Sequence, residues 1–114
     1  MCIFDAEYMA QLAAAGHPMQ PGCVGENFDI SGLPWRECAR PGALIALGRD
    51  VLLEISEVTS PCATTKVGFL KGENSLMDER KYPGRSRWYC RVLRDGWVWR
   101  GDTARLLRMP TKDE

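Results

Sequence analysis

Cys62 has the setting best suited to chemistry in this chain. It lies in Glu57-Val58-Thr59-Ser60-Pro61-Cys62-Ala63-Thr64-Thr65-Lys66, where a run of branched residues gives way to a helical pattern. Ser60 suits a helix cap and Pro61 the first helical position, which puts Cys62 in the first turn. A thiol there stands near free backbone N–H groups and the positive end of the helix dipole, and both favour thiolate over thiol. If the turn continues as an α-helix, Lys66 lies four residues on, shares the face of Cys62 and adds a second cationic influence. Such a sulfur serves as a nucleophile or a soft-metal ligand. The alternative is a buried structural cysteine, a common fate of free thiols. Cys2, Cys23, Cys38 and Cys90 lack a comparable setting, and Cys90 falls inside a strand pattern between Tyr89 and Arg91.

Two further clusters are candidates. Gly22-Cys23-Val24-Gly25-Glu26-Asn27-Phe28 sets a carboxylate and an amide beside glycines that permit close backbone approach, so it suits a polar ligand or simply its own loop N–H groups. Arg85, Arg87, Trp88, Arg91, Arg94, Trp97, Trp99 and Arg100 interleave cations with aromatics. That pattern fits base stacking, but strand alternation produces the same list.

The charge balance favours the second reading. Fifteen Lys and Arg offset fifteen Asp and Glu, so no overall field draws in nucleic acid or anionic membrane. No apolar run approaches the ~20 residues of a membrane-spanning helix. The first seven residues carry Asp5 and Glu7 where a secretory signal would carry cations. Five widely spaced cysteines fit reduced thiols in a cytosol-like compartment better than a disulfide framework, and a single histidine, His17, rules out a His-rich metal site built from this chain alone.

The elements that must position these residues are mostly strands. Phe4, Tyr8 and Leu12 recur at helical spacing and predict an amphipathic helix over residues 3–15, stopped by Gly16, Pro18, Pro21 and Gly22. Val24 to Ile30 reads as extended. Ala43 to Leu47 and Val51 to Thr59 read as a hairpin around Gly48-Arg49-Asp50. A second hairpin is expected from Arg87–Arg94 and Trp97–Arg100 around Asp95-Gly96, followed by a last strand over 103–108. Residues 72–85 are polar and predict a loop with one helical turn. Five or six short strands predict a mainly β fold, a barrel or a strongly bent sheet. The expected organisation is a helix and linker over 1–21, a β core over 22–109 and a tail over 110–114.

Taken in order, several segments resemble the MOSC domains, named for the carboxy-terminal domain of molybdenum cofactor sulfurase. They are Gly22-Cys23-Val24-Gly25-Glu26-Asn27, Pro41-Gly42-Ala43-Leu44 with Leu47-Gly48, Leu53-Glu54-Ile55 leading to Pro61-Cys62, and Arg91-Val92-Leu93 followed by Gly101-Asp102. The resemblance implies a β-barrel similar to the small barrel of pyruvate kinase, with Cys62 matching the family's signature cysteine. It implies a molybdenum cofactor ligated by Cys62, with Gly25, Glu26, Asn27, Lys66, Arg91 and Asp102 as cofactor-binding candidates and Arg91 the cation for the pterin phosphate. Reduction of N-hydroxylated compounds would be the activity.

The same resemblance supports a sulfur carrier, since a thiolate also accepts sulfane sulfur as a persulfide. Pyridoxal phosphate would then belong to a partner cysteine desulfurase, and a molybdoenzyme would be the recipient. Family members carry a longer segment ahead of the Gly-Glu-Asn motif. A barrel lacking it predicts a degenerate interaction module, or copies associating through open strand edges.

Overall fold

The structure, a computed structural model, describes residues 1–111. Residues 112–114 of the expected tail lie outside the described residues. Six strands form one curved sheet in the order β2-β1-β5-β4-β3-β6. They are β1 (Cys2–Asp5), β2 (Phe28–Ile30), β3 (Leu44–Leu47), β4 (Val51–Val58), β5 (Trp88–Arg94) and β6 (Ala104–Arg108). Only β1 and β2 run parallel. Two helices, α1 (Ala6–Ala14) and α2 (Trp35–Cys38), and short 3-10 turns between residues 63 and 77 complete the fold.

The expected β3–β4 hairpin forms. Leu47 pairs with Val51 across Gly48-Arg49-Asp50, and Gly48 takes φ +61° there, a left-handed value that side chains resist. Along β4, Val51, Leu53 and Ile55 are buried while Leu52, Glu54 and Ser56 are more open, as alternation requires. Register shifts beside Leu53 and Ile55 bend the β4–β5 pair and curl the sheet.

Two expectations are corrected. The helix predicted over 3–15 is a strand and then a helix. Cys2 to Asp5 are buried on both faces of β1, and the Asp5 carboxylate caps α1 by accepting the Glu7 N–H at 3.0 Å. A strand covered on both faces is a plain apolar run, which periodicity does not separate from helix. The hairpin predicted over 87–100 is also absent. β4 covers one edge of β5 along its length and β1 covers the start of the other at Trp88 and Tyr89, and residues 97–100 do not pair with the edge that remains. Trp97 and Trp99 instead stack in solvent with ring centroids 6.3 Å apart.

The sheet has a core on each side. Ile3, Ile45, Leu53, Ile55 and Trp88 fill its concave interior. Phe4, Tyr8, Leu12, Val24, Phe69 and Met77 pack the layer outside β1, beneath α1. The edge strands β2 and β6 are not paired to one another, and the groove lined by Phe28–Gly32 and Val98–Ala104 has a volume of about 880 Å³. The mainly β, barrel-like class expected from the strand count therefore holds, in the form of an open half-barrel. No helix among the described residues is long and apolar enough to cross a membrane.

Leu53 is fully buried where β4 meets the interior. Leu53→Ala is expected to lower unfolding free energy by about 2–5 kcal/mol, measured by denaturant titration.

Candidate functional site

The chain leaves β4 at Val58 and enters a 3-10 helix, Ala63–Gly68, whose N-cap is Cys62. The cap thus falls two residues later than Ser60, and the thiol sits at the boundary of the turn. A 3-10 helix has three residues per turn, so position i+3 lies over position i. Thr65 takes that place. Its hydroxyl donates to the Cys62 carbonyl at 2.8 Å and receives the Asn74 amide at 2.9 Å, while the same Asn74 amide donates to the Cys62 carbonyl at 2.8 Å. Lys66 is turned aside, its methylenes lying against Gly72.

The sulfur is solvent-exposed and 3.0 Å from the Thr64 hydroxyl. That hydroxyl, with the Thr64 and Thr65 backbone N–H groups and the charge of Arg87, pulls the thiol pKa below its usual value. The cationic influence expected from Lys66 thus comes from Arg87. The contrast with the other thiols is large. Burial pushes Cys38 up to about 11 and Cys90 up to about 12, and it also raises Cys2.

Arg87 joins Cys62 to the glycine-bordered loop. It is 8% exposed; Nη1 donates to the Val24 carbonyl at 2.7 Å and Nη2 to the Ser60 carbonyl at 3.0 Å. Its own carbonyl receives the Thr59 N–H at 3.2 Å. The turn bearing Cys62 also packs tightly on that loop, since a Cβ added at Gly68 would stand 2.9 Å from Cys23 Sγ.

Within the loop, Gly25 has φ +80°, and Glu26 is buried with Oε2 accepting the Gly22 N–H at 2.9 Å. Asn27 ties the loop to β1: Oδ1 accepts the Cys2 N–H and its own N–H donates to the Cys2 carbonyl, both at 2.8 Å. Behind them lie two neighbouring carboxyls, Glu26 and Asp29, whose Oε1 and Oδ1 are buried without a hydrogen-bond partner among the described residues. Burial first, then the neighbouring Glu26 carboxyl, push Asp29 up to about 8.

Arg87 thus ties the loop that carries Gly25, Glu26 and Asn27, through Val24, to the turn that carries Cys62, through Ser60, while Arg91 and Asp102 lie elsewhere. Arg91 is on the outer face of β5, paired with Glu54 at 3.2 Å, and Arg108 holds the other Glu54 oxygen at 3.2 Å. Asp102 closes a turn by accepting the Trp99 N–H at 2.9 Å, and it lines the open groove, as does Asn27. Sequence reasoning missed Thr64, Thr65, Asn74, Asp29 and the role of Arg87. The spacing Cys62-x-x-Thr65 imitates a capping box and could have been read. Asn74 carries no local signal, and Arg87 was hidden in a basic, aromatic run.

Two outcomes follow from these contacts. Thr64→Val removes the hydroxyl beside the sulfur, so Cys62 alkylation should show a higher pH midpoint and a slower rate at neutral pH. Asp29, ionising at about 3.9 in the unfolded chain, has its folded pKa raised to about 8. The stability tied to its proton is present below the unfolded value and is lost as pH rises through the folded one. Thermal stability should fall over that window, and Asp29→Asn should flatten the fall; an unchanged slope would contradict the buried acid pair.

A family model for the MOSC domain matches residues 1–105. A "Reductase" of Gibberella moniliformis (strain M3125 / FGSC 7600) is 36% identical over 101 residues, which are 84% of this chain and 18% of that protein. The crystal structure of YiiM from Geobacillus stearothermophilus shares the fold, with a TM-score of 0.72 at 24% identity over 95% of this chain and 54% of that one. The chain thus spans about half of the YiiM structure and less than a fifth of the reductase. The matched residues take in β1 to β5 and the start of β6 as well as the Cys62 turn, and the chain belongs to the MOSC domain family.

Proposed function

We propose that this MOSC domain binds a molybdenum cofactor with the Cys62 thiolate as its metal ligand and serves in the reduction of N-hydroxylated compounds. One observation carries the reading: of the five cysteines only Cys62 is exposed, and its pKa is lowered while those of Cys2, Cys38 and Cys90 are raised. A soft thiolate is the protein ligand expected for a soft metal centre. Among the described residues no three His, Cys, Asp or Glu side chains converge to hold a bare ion. A metal brought inside an organic cofactor needs only the single ligand that Cys62 provides. The fit extends to the surroundings. Arg87 is buried with Nε unpartnered, and the Gly25-Glu26-Asn27 loop is held beside it.

In this reading the Thr64 hydroxyl and the Thr64 and Thr65 N–H groups favour the thiolate, and Asn74 with Thr65 fixes the backbone that carries it. The cofactor, when bound, would supply two-electron chemistry at an N–O bond. The likeness to a protein named a reductase agrees with that reaction class.

A persulfide carrier is the second reading, favoured by the exposed sulfur with a hydroxyl donor 3.0 Å away. In it, the Cys62 thiolate takes the terminal sulfur of a partner desulfurase persulfide, the partner leaves as its thiol, and the Thr64 hydroxyl stabilises the new perthiolate.

Protein purified from a host that makes the cofactor should contain molybdenum and pterin, measured by elemental analysis and fluorescence, and Cys62→Ser should lose both. A Cys62→Ser variant that keeps its molybdenum would count against ligation by this residue. For the second reading, incubation with a desulfurase and cysteine should add sulfur to the Cys62 peptide, read by mass spectrometry.

A further inference from the structure

Arg87 is a buried cation with no carboxylate within ion-pair distance among the described residues. Burying an unpaired charge is costly, so such a group persists only where its surroundings hold it in place. Here two backbone carbonyls hold it, one on each loop of the site, and Nε is left without a partner. The acid of the same loop, Glu26, accepts the Gly22 N–H through Oε2 and makes no ion pair with Arg87. The guanidinium therefore lies between the loop that carries Glu26 and the turn that carries Cys62, and its charge reaches Cys2 on β1 and Cys62 beyond Ser60. Of these, only Cys62 is exposed.

We infer that Arg87 is a positioning residue that locks the Cys62 turn onto the Gly22–Asn27 loop and gives the exposed sulfur a positive field, so that the site selects anionic partners. The inference rests on the reading of Cys62 as the reactive thiol and names the class of molecule that reaches it. The planar fork matters as well as the charge. Nη1 and Nη2 reach Val24 and Ser60 at once, which a single ammonium does not reproduce with the same geometry. Lys66 and Arg91 do not substitute, since the first lies against Gly72 and the second pairs with Glu54.

The test compares alkylation of Cys62 by iodoacetate, an anion, and by iodoacetamide, its neutral analogue. The ratio of the two rates reports the local field and cancels the fraction of thiolate, which is common to both reagents. Protein from a host lacking molybdenum cofactor is used, so the result does not depend on whether the chain binds that group. The ratio is expected to fall severalfold in Arg87→Gln, to be kept in Arg87→Lys, and to shrink in the wild type as salt screens the field. An unchanged ratio in Arg87→Gln, or an equal drop in both variants, overturns the inference.

Should Arg87→Gln fail to fold, Arg87→Lys decides alone. Its ratio should hold while amide hydrogen exchange quickens together in residues 22–26 and 60–65. Loss of the ratio, or faster exchange confined to one of the two loops, overturns it.

Discussion

Strand β1 has a partner on each edge and a core on each face, and much of the molecule is arranged around that constraint. Ile3 enters the concave interior and Phe4 enters the layer beneath α1, so four residues join two apolar clusters. The pairing to β2 and β5 fixes Cys2 opposite Tyr89 and brings Asn27 back to the Cys2 backbone. From there the Gly22–Asn27 loop has its place, and Arg87, one residue before β5, is within reach of it. β1 thus places the loop that Arg87 then ties to the Cys62 turn.

The outer layer finishes what β1 begins. Tyr8 on α1 donates its hydroxyl to the Leu76 carbonyl at 2.8 Å, anchoring the segment that carries Asn74, and Asn74 in turn holds the Cys62 carbonyl. The helix contributes its apolar face to the core and, through one phenol, the position of a turn far away in sequence. Backbone-directed hydrogen bonds of this kind orient the sulfur without covering it. That is why Cys62 combines exposure with a depressed pKa, while the more deeply packed thiols of Cys38 and Cys90 are driven the other way.

Polar groups under the site are arranged as unlike neighbours. Burial and the neighbouring Glu26 carboxyl raise the Asp29 pKa, because a carboxylate ionises less readily in a poorly solvated place beside another. Arg87 stands near them without a direct ion pair and is held by carbonyl dipoles instead. The result is a cation locked by backbone beside an exposed sulfur. Arg91, by contrast, lies on the convex face, where Glu54 takes both it and Arg108. Strand alternation decides this, since Trp88 and Cys90 point inward and Tyr89 and Arg91 outward.

The sequence by itself determined the elements whose signals are local. The β3–β4 hairpin follows from branched residues flanking Gly48-Arg49-Asp50. The prominence of Cys62 follows from a strand ending at a proline and a cysteine. The family resemblance follows from short motifs in order. Tertiary structure decided what depends on neighbours. Whether Cys2–Asp5 is strand or helix turns on the edges of β2 and β5 that receive it. Residues 97–100 leave the sheet, with Trp97 and Trp99 stacked on each other. Which cation acts on Cys62 turns on a 3-10 rather than an α-helical turn, which moves Lys66 aside and leaves Arg87, 25 positions along the chain and bound to the Ser60 carbonyl, as the charge that helps lower the thiol pKa. Local patterns encode turns and faces because those depend on residues a few positions apart; the partner of an edge or a charge is set by chain folded from elsewhere.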